Sequence, residues 1–122
     1  ATKAQEVRCT TQVSGLQVAS VIDGDLAVEA CRATGGNGHL VTDEFVWEVQ
    51  KRLAREEGVF TEPAGAVALA GALQAVKHGE ISPEATIVCT VTGSGFKDSA
   101  AVDRMNNDIS CPLLDSDAID GW

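Results

Sequence analysis

The sequence predicts an α/β layered domain, with helices packed on a small, mostly parallel sheet. Three observations lead there. Strand-like and helix-like stretches alternate along the chain. Residues 64–73 carry no polar side chain, so a helix over them is apolar all round and needs covering on every side. Residues 86–92, TIVCTVT, are rich in β-branched side chains and apolar on both faces around Cys89. A strand buried between helix layers has that pattern.

Taken in order, residues 1–14 show no clear period and form an extended opening segment. A short helix follows, with Asp23 or Asp25 as its N-cap and Leu26, Val28, Ala30 and Cys31 on its apolar side. Gly35 and Gly36 end it. The GGNG that begins there is a helix stop and turn. A phosphate loop needs the opposite order, strand first, so that a helix N-terminus faces the anion. Residues 39–42, HLVT, form a short strand, with His39 as a structural side chain. A second helix spans residues 43–58, capped by Thr42 or Asp43, with Val46, Val49 and Leu53 at helical spacing. Asp43 and Glu44 suit the positive end of its dipole, Glu48 and Arg52 form an i,i+4 pair, and Gly58 closes it.

The third helix opens at Pro63, whose missing N–H would be unpaired in a first turn anyway. Gly65 and Gly71 each cost it about 1 kcal/mol relative to Ala, which implies that something approaches the helix closely there. His78 sits in the last turn, where a cation is favoured, and Gly79 terminates. A loop with Pro83 leads into the strand at residues 86–92, and after GSG the run KDSAAVDRM forms a last helix. Residues 106–122 form a surface tail. The whole is one partial α/β domain, residues 1–122. Two strands, or three, do not make an independent sheet covered on both faces. The chain therefore either assembles with copies of itself or belongs to something larger.

Composition narrows the function. The 122 residues suit a single core, and with 4% aromatics and no Tyr that core is built from Ala, Val, Leu and Ile. A net charge of −9 repels phosphate backbones and anionic lipid, which argues against nucleic-acid and membrane partners. No apolar run reaches the ~18 residues of a membrane span, and the opening ATKAQEVRCTT lacks the apolar core of a signal peptide. Cys9, Cys31, Cys89 and Cys111 form no Cys-x-x-Cys pair and lie far from His39 and His78 in sequence, which argues against a metal site. Idle thiols in a reducing cytoplasm are the expectation.

Three features then carry a resemblance: a helix ending in REEG, the EPAGA turn into an apolar helix, and a strand ending in TGSGFKD. In this order they resemble the C-terminal part of the catalytic domain of fold-type II pyridoxal-phosphate enzymes, most of all the threonine synthases. The threonine and serine dehydratases and the tryptophan synthase β chain are more distant. The stretch SGLQVASVIDGDLAVEACRATGG is also similar to a threonine synthase segment, so the likeness runs over roughly residues 14–104. Each motif alone is weak, and the combination is specific.

The resemblance implies that Thr92, before the glycine, meets the pyridine nitrogen of pyridoxal phosphate. A neutral hydroxyl leaves that nitrogen unprotonated or weakly protonated, which tunes the cofactor toward elimination and replacement. It also implies that Gly93 lets the backbone pass the ring closely and that Glu62, heading the EPAGA turn, lines the cofactor pocket. The Schiff-base lysine and the Gly/Asn-rich phosphate loop of these enzymes belong to an N-terminal half not matched here. Lys3, Lys51 and Lys77 lie in the wrong contexts, and Lys97 follows the pyridine-nitrogen residue, as a charged pair does in the relatives. No catalytic residue is therefore assigned. The implied activity is conversion of O-phosphohomoserine to threonine and phosphate, in an enzyme completed by the N-terminal half and acting on a small amino acid. The chain alone is expected to be inactive, not to hold the cofactor, and to form homo-oligomers. Two alternatives stand beside this: part of a serine/threonine dehydratase or ammonia-lyase of the same fold, and a standalone non-catalytic module. EPAGA is at home in dehydratases, whereas TGSGFKD leans toward threonine synthase.

Overall fold

A computed structural model describes residues 3–110 and 112–113. Among the described residues there are four α-helices, α1 (Gly24–Ala33), α2 (Asp43–Glu56), α3 (Pro63–Lys77) and α4 (Ser99–Asn106), with 3-10 turns at Ser14–Leu16 and Gly95–Lys97. The centre of the molecule is the packing of α2 against α3. The period-3.6 stripe of α2 buries Val46, Val49 and Leu53, which meet Ala66 and Ala70 of α3 and Val13 from the opening segment. Burying a Val or Leu side chain contributes roughly 1.5–3 kcal/mol, so these few residues dominate the core.

The helix ends follow the local chemistry. Thr42 caps α2, its hydroxyl accepting from the Phe45 N–H. Pro63 stands in the first turn of α3, and Asp98 caps α4 through the Ala101 N–H at 2.9 Å. Gly35, Gly58 and Gly79 follow the ends of the first three helices with positive φ. Asp23 is the N-cap of α1 without a side-chain hydrogen bond, whereas Asp25 accepts from the Ala4 N–H at 2.7 Å. The expected Glu48–Arg52 pair is replaced by Arg52–Glu56. There the guanidinium donates from Nε at 3.0 Å and Nη2 at 3.2 Å, so two bonds hold one carboxylate.

The helix-on-sheet layering is overturned: there is no strand among the described residues. A strand is satisfied only by the backbone of a neighbour, and residues 39–42 and 86–92 do not supply that to each other. The segment expected to be buried between layers instead lies open, with Val88 89% exposed. The same missing sheet explains α3. That helix buries Pro63, Gly65, Ala66, Ala70 and Ala75 but leaves Ala68 and Leu73 exposed, so it is not covered all round. Helix α1 buries only Gly24, and Leu26 on its apolar side faces solvent. No helix among the described residues is long and apolar enough to cross a membrane. The tail expected over residues 106–122 lies mostly outside the described residues.

Candidate functional site

The site is built where the loop into α3 meets the segment leaving residue 92. Gly58, at φ 68°, ends α2, and the Val59 N–H turns back to the Leu53 carbonyl at 2.9 Å. Three residues later the chain is fixed again at Thr61, which is buried, and Glu62 becomes the N-cap residue of α3. The Thr61 hydroxyl donates to the Thr92 carbonyl at 2.7 Å. The peptide at residues 92–93 is thereby held on the first turn of α3.

Gly65 makes that approach possible. A Cβ at this position would overlap both the Thr92 carbonyl oxygen and the Thr61 hydroxyl. The close approach inferred from the helix glycines is thus real at Gly65. It is not found at Gly71, where the nearest atom to such a Cβ is the His39 Cβ at 3.8 Å.

Gly93 turns the chain with φ 71°, a conformation that side chains disfavour. It lies against the Glu62 carboxylate, which a Cβ on Gly93 would overlap. Beyond it the Gly95 N–H donates to the Phe60 carbonyl at 3.1 Å, and the Phe60 and Phe96 rings meet edge-on with centroids 4.8 Å apart. Lys97 reaches back so that its Nζ is 3.6 Å from Glu62 Oε1, and Ser14 donates to Asp98 at 2.9 Å.

The structure therefore brings Glu62, Thr92 and Gly93 to one edge of α3. The Thr92 backbone is anchored, and its hydroxyl takes part in no hydrogen bond among the described residues. Glu62 is mostly covered, with 17% of its side chain exposed, while Lys97 is open to solvent at 65%. An exposed ammonium paired with a carboxylate is a surface ion pair, contributing ~0–1 kcal/mol. His39 and His78 lie elsewhere, both facing Glu80. Among the described residues, Cys9, Cys31 and Cys89 are free thiols.

Two buried polar residues were missed by sequence reasoning. Thr61 and Gln50 are each 1% exposed, and the Gln50 amide donates to the Thr61 carbonyl at 2.8 Å. A signal for Gln50 was present: it stands four residues after Val46 and three before Leu53, on the buried stripe of α2. Thr61 gave none, because its burial comes from the close passage of residues 92–93.

A hydroxyl on an anchored backbone, a glycine at positive φ and a mostly covered carboxylate at a helix N-terminus can form one polar, close-fitting edge for a planar ring. The family model of pyridoxal-phosphate dependent enzymes matches residues 1–93, ending on the glycine of this edge. Threonine synthase of Methanocaldococcus jannaschii is 37% identical over 106 residues, 84% of this chain and 26% of that protein. Threonine synthase of Mycobacterium leprae is 39% identical over 88 residues, 72% of this chain and 24% of that protein. That of Synechocystis sp. is 36% identical over 104 residues, 84% of this chain and 27% of that protein. The chain thus spans about a quarter of the length of these relatives. With three quarters of its residues inside the family model, the chain belongs to the pyridoxal-phosphate dependent enzymes, as a stretch similar to the C-terminal part of threonine synthases.

Proposed function

We propose that this chain is the C-terminal part of a threonine-synthase-like enzyme that converts O-phosphohomoserine to threonine and phosphate, and that it supplies the pyridine-nitrogen wall of the cofactor site. The observation that carries the reading is the Thr92 peptide pinned on α3, with the Thr92 hydroxyl bonded to nothing among the described residues. The residues fit pyridoxal phosphate in kind. Thr92 offers a neutral hydrogen-bonding group, Gly93 a backbone without a side chain, and Glu62 a carboxylate beside both.

When bound, pyridoxal phosphate supplies an electron sink for the carbanions of amino-acid chemistry. Thr92 Oγ1 would donate its proton to the ring nitrogen and, carrying no charge, leave that nitrogen without a counter-ion. Gly93 would keep the approach to the ring clear of a side chain. Glu62, held by Lys97, would close the edge of the pocket near the α3 N-terminus. The lysine that carries the cofactor and the phosphate-binding loop are proposed to come from the part of the enzyme outside the match. On this reading the chain alone neither binds the cofactor firmly nor turns over substrate. The fold-type II lyase is proposed to act as a homo-oligomer in amino-acid biosynthesis in the cytoplasm, where thiols such as Cys9 and Cys31 stay reduced.

The test is made in the longer enzyme that carries these residues, loaded with cofactor. Thr92→Ala should shift the visible absorption of the bound cofactor and weaken its binding about 5- to 10-fold, the size of one hydrogen bond of ~1–1.4 kcal/mol. Thr92→Ser should preserve both. Phosphate release from O-phosphohomoserine should fall with Thr92→Ala. An unchanged absorption and affinity would sink the cofactor assignment. Release of ammonia from serine or threonine in place of phosphate would transfer the enzyme to the dehydratases.

A further inference from the structure

We propose that Thr61, itself held by Gln50, is a positioning residue that sets the direction in which Thr92 presents its hydroxyl. The inference rests on the cofactor reading of Thr92 and goes beyond it, to two side chains that would touch neither cofactor nor substrate. Three carbonyl oxygens converge on the Thr61 hydroxyl: that of Thr92 at 2.7 Å, that of Gly93 at 3.2 Å and that of Glu62 at 3.3 Å. One hydroxyl has one proton to give, and the shortest of the three contacts takes it. These carbonyls belong to the three residues that line the proposed pocket edge. A single side chain therefore ties the Thr92 carbonyl to the entry of α3, with the Gly93 and Glu62 carbonyls gathered around the same oxygen.

The anchor is itself anchored. Gln50 projects from the middle of α2 and donates to the Thr61 carbonyl at 2.8 Å, with both residues 1% exposed. A buried amide or hydroxyl lacking a partner carries a desolvation penalty, so Gln50 and Thr61 hold each other in one arrangement. Gly65 completes the fit, since any Cβ there would displace both the Thr61 hydroxyl and the Thr92 carbonyl. The line Gln50, Thr61, Thr92 thus runs from the buried stripe of α2 to the proposed pocket edge. A threonine at position 61 supplies what a valine of the same shape would not.

Thr61→Val removes the donor at nearly constant shape, Thr61→Ser keeps the donor, and Gln50→Leu removes the outer support. In the 122-residue chain the readout is amide hydrogen exchange at Gly95, whose N–H donates to the Phe60 carbonyl just beyond the anchored peptide. Thr61→Val should speed it tenfold or more, Gln50→Leu severalfold, and Thr61→Ser little. In the cofactor-loaded longer enzyme, Thr61→Val should reproduce part of the absorption shift of Thr92→Ala, and Thr61→Ser should rescue it. Unchanged exchange in Thr61→Val would overturn the anchor. So would a Thr61→Ser variant as damaged as Thr61→Val, because shape rather than the donor would then be responsible. Faster exchange with an unshifted spectrum, while Thr92→Ala does shift it, would overturn the positioning role alone. A silent Thr92→Ala would overturn the cofactor reading and take the positioning role with it, leaving the exchange result as a statement about the fold.

Discussion

Gly65 and Gly71 sit six residues apart in one helix and differ only in what lies beside them. For Gly65 that is the Thr92 carbonyl and the Thr61 hydroxyl, neither of which can withdraw without breaking the bond between them. Gly65→Ala should therefore destabilise the chain by about 1–3 kcal/mol through overpacking, against the ~1 kcal/mol that helix propensity alone would return. Gly71→Ala meets only an ordinary contact with His39 and should stabilise by up to about 1 kcal/mol. Urea midpoints of the two variants, measured together, decide it: movement in the same direction would show that the Gly65 contact does not exist. The sequence revealed that helix glycines needed a reason, but not which of them had one. That depended on residues 92–93 passing nearby, and nothing local to α3 announces it. Glu62, Thr92 and Gly93 were nameable as a set through resemblance, whereas Thr61 was not, because its burial is conferred from outside its own segment.

Elements show the same division between local and non-local causes. Helices α2 and α3 were legible because caps, breakers and apolar period all lie within each segment, and Thr42, Pro63 and Gly58 each act where expected. Residues 86–92 were misread as a buried strand because β-branched composition states a preference that only a neighbouring backbone can satisfy. At the start of α2 an unforeseen tie appears. Asp43 accepts from the Gln12 N–H at 2.6 Å and from the Thr11 hydroxyl, fastening the opening segment to the helix. The Gln12 backbone bond first, then the Thr11 hydroxyl and the nearby Arg104 charge, hold its carboxyl below the usual carboxylate range. A depressed folded pKa gives stability that is present above the unfolded value, ~3.9, and is lost as pH falls below it toward the folded value. Urea midpoints should therefore drop as pH falls below about 4 in the native chain, and less steeply in Asp43→Asn. Parallel acid profiles in the two proteins would rule out this tie as their cause.

At the scale of the whole molecule, the described chain leaves much apolar surface in water: Ile22 is 93% exposed, Leu40 92% and Val88 89%. Side chains of this kind scattered singly are ordinary, but here they recur in the segments that neither helix nor ladder secures. The chain on its own should bind apolar dyes and self-associate with rising concentration despite its charge of −9. Sedimentation across a hundredfold concentration range checks this, and a strict monomer without dye binding would contradict it. Fold class was the least legible property for the same reason: whether residues 39–42 and 86–92 pair as strands depends on neighbours that neither segment encodes.

The bond from Thr61 ends on the main chain of residue 92 and not on its side group. Support and chemistry are thereby uncoupled at one position. The side group at 92 can be exchanged for serine or cysteine without disturbing what holds it in place. On the proposed cofactor reading, cysteine would alter the group offered to the ring nitrogen and serine would keep it, while the architecture beneath stays untouched. On that reading, single substitutions at residue 92 would vary the group facing the ring and leave its support in place.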